Sequence, residues 1–145
     1  MACPFFMPVQ LSGEGAWLHP ARLPLGAGWS GHCTAPGHEG ETPELVHLQD
    51  GCNLGYALRC PSLPADRPWD AVRFGVTKEE GRQVVLNYVC ERDHRPADHG
   101  QLRFETANGT WLSAHPDARI QRMAECFLQS HLARTGRQAI SARNL

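Results

Sequence analysis

The sequence has no long apolar run. None approaches the roughly 18 residues that a membrane-spanning helix needs, so no such helix and no membrane partner are expected. A surplus of one charge is missing as well. Fourteen basic residues stand against fifteen acidic ones, like charges form no blocks, and no footprint for nucleic acid results. Lysine is almost absent, with Lys78 the single one. Aromatic residues do not alternate with basic ones, which argues against a stacking platform for single strands. Catalytic signatures are lacking too: there is no G-x-S-x-G, no phosphate-binding glycine loop ending in Lys, no G-x-G-x-x-G after a strand and no H-E-x-x-H. No two cysteines stand at the C-x₂₋₄-C spacing of common structural zinc sites. The opening MACPFFMPVQLSGEG carries no basic stretch and is broken by Pro4 and Pro8, so it does not read as a secretory signal. A cytoplasmic, reducing location is therefore expected, where disulfides rarely persist. By the same argument Asn108-Gly109-Thr110 is expected to be a turn rather than a glycosylation site.

What the sequence does hold is six cysteines in 145 residues. Reduced thiols that cluster are natural metal ligands. Four of them, Cys3, Cys33, Cys52 and Cys60, fall before residue 70, in the settings ACPFF, GHCTAPG, DGCNLG and LRCPS. That half also holds nine of the fourteen glycines and nine of the eleven prolines. Such a composition favours little regular structure and costs entropy to order. It nevertheless includes Phe5, Phe6, Trp17, Trp29, Tyr56 and Trp69, which disordered linkers lack. The expectation is an ordered but irregular segment held together by something other than strand ladders. One short helix is legible over residues 43–50: Thr42 suits its N-cap, Pro43 its first position and Gly51 its end. Cys52 would then lie just beyond it.

After residue 70 the pattern becomes regular. Val72, Phe74 and Val76 alternate with polar residues, a turn follows at 78–81, and Val84, Leu86, Tyr88 and Cys90 share one face of a strand over 82–91. A polar loop, ERDHRPADHG, separates this strand from Leu102 and Phe104. Asn108-Gly109 marks a hairpin before Trp111 and Leu112. A helix over 116–134 presents Ile120, Met123, Ala124, Phe127, Leu128, His131 and Leu132 on one side. The fold class is therefore α+β: an irregular Gly/Pro-rich first half with one short helix, an antiparallel meander of three or four strands, and an amphipathic C-terminal helix packed on the sheet. One domain is expected over residues 1–136, its metal-binding half over 1–70 and its meander and helix over 71–136, with a flexible tail at 137–145.

The four early cysteines have little core to fill, which points to shared ligation of one metal centre. Geometry constrains how they could meet. A continuous helix would hold Cys52 and Cys60 about 12 Å apart, and a straight strand roughly 26 Å. The chain must fold back within NLGYALR, with Gly55 as the pivot. Dispersed thiolates suit an iron–sulfur cluster of the [4Fe–4S] type better than zinc. Cys3 and Cys60 each precede proline, as the last cysteine of ferredoxin-type motifs does. The spacing nevertheless reproduces no ferredoxin, rubredoxin, zinc-ribbon or treble-clef signature. His32 and His38 are substitute ligands, or else solvated loop histidines. A second metal-capable group is Cys90, Asp93, His94, Asp98 and His99, whose plain alternative is a solvated hairpin loop. Cys90 and Cys126 read as packing residues. Three functions follow in order: an iron–sulfur protein for electron transfer, sensing or structure; a zinc-stabilised module that binds a protein partner without catalysis; and a metal-dependent enzyme using the 90–99 loop.

Overall fold

A computed structural model of the chain describes residues 1–12, 17, 19–56 and 60–136. The tail at 137–145 and the end of NLGYALR lie outside these. The meander expected after residue 70 is present and has four strands: β3 (Ala71–Glu80), β4 (Gln83–Arg92), β5 (Arg95–Glu105) and β6 (Thr110–Ser113), paired in sequence order and antiparallel. The period-2 pattern works as it should. Val84, Leu86 and Cys90 are solvent-free on β4, with Leu102 and Phe104 beside them on β5. The final helix, α2, spans Ala118–Arg134. Asp117 caps it by accepting the Arg119 backbone N–H at 2.9 Å, one of the donors a helix start leaves without a partner.

Helix α2 packs on two sides. One side lays Ala124, Leu128 and Leu132 over Val84, Leu86, Leu102 and Phe104. The other buries Ile120, Met123 and Cys126 with Phe6, Trp29 and Val72 in a second cluster built from both halves of the chain. Cys126, outside the apolar stripe named from the sequence, is fully buried, as its reading as a packing residue expects, because the helix is covered over a wider arc than a single stripe.

Two expectations need correction. The ERDHRPADHG stretch is not a loop: β4 and β5 continue through it, and only Asp93 and His94 turn the chain, at φ 52° and 62°. Two successive positive φ values are what a tight two-residue hairpin demands. The first half, in turn, does contain a ladder. Strands β1 (Phe6–Leu11) and β2 (Trp29–Cys33) pair antiparallel, with an irregularity between Pro8 and Gln10. Arg122 of α2 donates to the Pro8 carbonyl at 3.0 Å and to the Val9 carbonyl at 2.8 Å, satisfying backbone that Pro8 takes out of the regular pattern. No described helix is long and apolar enough to cross a membrane.

Candidate metal centre

Each of the four early cysteines borders one cavity from a different segment of the chain. Cys3 follows Ala2, which forms a bridge to Val72 at the start of the large sheet. Its N–H donates to the Cys52 carbonyl at 3.0 Å, so the N-terminal residues are sewn directly to the segment carrying the third cysteine. Cys33 ends β2, opposite Phe6. A tight turn holds it there: its N–H donates to the Glu41 carbonyl, and its carbonyl accepts from Gly40, both at 2.9 Å.

Cys52 sits differently from the expectation of a helix ending at residue 50. The helix α1 covers only Leu45–His47, with Glu44 rather than Thr42 as its cap, and continues into a π-helical turn over Leu48–Asn53. Cys52 is therefore inside the turn, not beyond it. Asn53 fixes that turn from within the core. Its side chain accepts the Trp29 N–H at 3.0 Å and donates to the Trp29 and Leu48 carbonyls at 2.8 and 3.1 Å. A π-turn adds one residue to the helical repeat, and such turns are frequent at functional sites.

Gly55 follows in a conformation open to few residues. Its φ is +107°, and a Cβ there would lie 2.1 Å from the Asp50 carbonyl oxygen. Only glycine takes that conformation without strain. Cys60 lines the same cavity as Cys52; the rest of the stretch expected to fold back, residues 57–59, lies outside the described residues.

The result is a cavity of about 100 Å³ lined by Cys3, Cys33, Cys52 and Cys60, together with His47 and Phe6. The thiols are free. They lie close enough that ionising one opposes ionising another. Burial, first, and then the charges of Cys60 and Cys33 push the Cys3 thiol up to about 11, while the Phe5 and Phe6 backbone N–H groups work in the opposite direction. Burial, followed by Cys3, Cys60 and Cys33, pushes Cys52 up to about 12. Without a cation, then, the buried pair stays protonated at neutral pH.

Two donors lie within reach of sulfur. The Ala35 N–H points at the Cys33 sulfur at 3.3 Å. His47 Nε2 lies 3.2 Å from the Cys60 sulfur. Gly51 makes room for that ring, since a Cβ there would come within 2.7 Å of it. Among the described residues no group of three or more His, Cys, Asp or Glu is arranged to hold a single metal ion; the four thiols border the cavity without closing on one point.

The remaining candidates are scattered. His32 lies within β2 opposite Met7, and His38 pairs with Glu41 at 2.9 Å. Cys90 is solvent-free in the core, pushed up to about 12 by burial and then by Asp98 and Asp117. Asp93 and His94 form the tip of the β4–β5 hairpin, where the Asp93 N–H donates to Asp70 at 2.8 Å and the His94 ring stacks on Tyr56 at 4.3 Å. His99 is exposed on β5 opposite Val89. Two residues of the site are absent from the sequence reading, His47 and Asn53. His47 stands five residues before Cys52, the repeat of a π-turn; Asn53 carries no such signal.

No protein-family model, no curated protein and no solved structure matches the chain.

Proposed function

We propose that the chain is a small metal-binding protein in which Cys3, Cys33, Cys52 and Cys60 hold an iron–sulfur cluster, serving electron transfer, sensing or structure. The observation that carries this reading is the meeting of four cysteines from four separate segments around one cavity. One further feature supports it: the Ala35 N–H, 3.3 Å from the Cys33 sulfur, favours that sulfur as an anion, which metal ligation requires. A cationic iron core would offset the mutual repulsion of the thiolates and give a Gly/Pro-rich segment the cross-links its composition lacks.

Anaerobic purification tests this. A brown protein containing iron and acid-labile sulfide, bleached by dithionite, supports the cluster. A colourless protein with one equivalent of zinc would replace it with a zinc-stabilised interaction module. A chain that binds neither metal with all four thiols reduced overturns the metal-centre reading.

A further inference from the structure

Among the polar residues of the cavity wall other than cysteine, Glu41, Thr42, His47 and Ser62, His47 reaches a cysteine sulfur with its side chain. Its Nε2 lies 3.2 Å from the Cys60 sulfur, and the ring packs against the bare face of Gly51. In the metal-free chain this contact has two possible polarities, with the thiol donating to the ring or the ring donating to sulfur. Ligation removes that freedom. A sulfur bound to metal carries no proton, so the imidazole must be the donor, with its hydrogen on Nε2.

From this geometry we infer that His47 raises the reduction potential of the centre by donating Nε2–H to the Cys60 sulfur. The inference rests on the cluster reading above and adds to it a residue outside the ligand set. Its physics is simple. The centre takes up one electron from an external reductant, with no bond made or broken. Part of the added negative charge spreads onto the thiolate sulfurs, so a hydrogen bond to sulfur is stronger in the reduced state than in the oxidised one. Hydrogen bonds to the sulfurs are one of the levers that set cluster potentials. The Ala35 backbone N–H does this at Cys33 and cannot be altered by changing a side chain; at Cys60 the donor is a side chain and can be.

His47 is thus a positioning residue, acting through Cys60. The test is an anaerobic redox titration of the metal-loaded protein with dithionite, on the wild type and three variants. His47→Ala is expected to shift the balance of reduced to oxidised centre about tenfold toward oxidised, a drop of about 59 mV for a one-electron couple. His47→Gln, whose amide N–H can occupy the place of Nε2, is expected to recover most of that drop. Gly51→Ala leaves both His47 and Cys60 in place but drives a methyl into the ring's position, and is expected to lower the potential as well. An unchanged potential in His47→Ala at full iron occupancy overturns the inference and leaves the cluster reading standing. If His47→Ala loses its iron, Gly51→Ala decides: a wild-type potential there overturns the inference. A wild-type protein with no redox-active metal overturns the reading beneath it instead.

Discussion

Asn53 offers no ligand to a metal, yet three of its hydrogen bonds hold the turn that carries Cys52. All three partners are backbone groups in a solvent-free setting, so an apolar side chain would strand them. Asn53→Ala is expected to lower stability by about 2 kcal/mol or more, because a buried group without a partner costs about 1–3 kcal/mol. Chemical denaturation of the metal-free protein measures this; a change under 0.5 kcal/mol would contradict the role given to Asn53. Cys126 makes a separate prediction. Burial pushes its thiol up to about 12, with the Glu125 charge adding to the shift and Arg122 opposing it. A raised pKa means the folded state keeps a proton that the unfolded chain releases above about 8.5. The stability tied to that proton is therefore full below this pH and is lost as pH rises toward 12. Metal-free Cys126→Ala should show a shallower loss of stability between pH 9 and 11 than the unsubstituted chain, a window set by the value of about 12 at this residue. Equal slopes would contradict the assignment.

At the scale of elements, the large sheet and α2 were readable from the sequence, and the small sheet was not. Val72, Phe74 and Val76 on β3, Val84, Leu86 and Cys90 on β4, and Leu102 and Phe104 on β5 recur at every second position, and α2 repeats its apolar residues at helical spacing. Strands β1 and β2 give no such pattern. Pro8 removes a ladder donor, and Gly31 contributes no side chain at all, since its Cα sits where a Cβ would be 2.0 Å from the Met7 carbonyl oxygen. The β4–β5 hairpin was hidden for another reason: its turn residues, Asp93 and His94, adopt positive φ without glycine, held by backbone N–H bonds to Asp70 and Tyr56 that join residues 23 and 38 apart in sequence. The positive φ of Gly55 was legible as a glycine requirement, whereas the π-turn that carries Cys52 was not. Gly55→Ala combines a positive φ with a 2.1 Å clash against the Asp50 carbonyl. It should cost on the order of 2–3 kcal/mol and reduce metal occupancy. Gly37→Ala shares the positive φ, at 84°, but meets nothing within 4 Å, so it should cost less and leave occupancy unchanged. Metal content and melting of the two variants, side by side, separate local strain from damage to the site.

Across the whole molecule, the cysteine cavity lies against the core rather than on a detached lobe. Cys3 and Cys52 belong to the same apolar cluster as Trp29, Val72, Ile120 and Met123. Metal binding and folding should therefore be coupled. A ligand that binds only the folded state stabilises it according to its concentration relative to Kd. Stripping the metal is expected to lower the midpoint of thermal unfolding for the full chain, helix and sheet included, as followed by circular dichroism. A midpoint indifferent to metal would mean the centre is not tied into the core. The most direct measurement of the central claim is metal bound per chain in five variants purified under identical anaerobic conditions: Cys3→Ser, Cys33→Ser, Cys52→Ser, Cys60→Ser and Cys126→Ala. The account predicts that each of the four serine variants loses most of its metal while Cys126→Ala keeps a full complement. Full retention in the serine variants, or equal loss in all five, would contradict it.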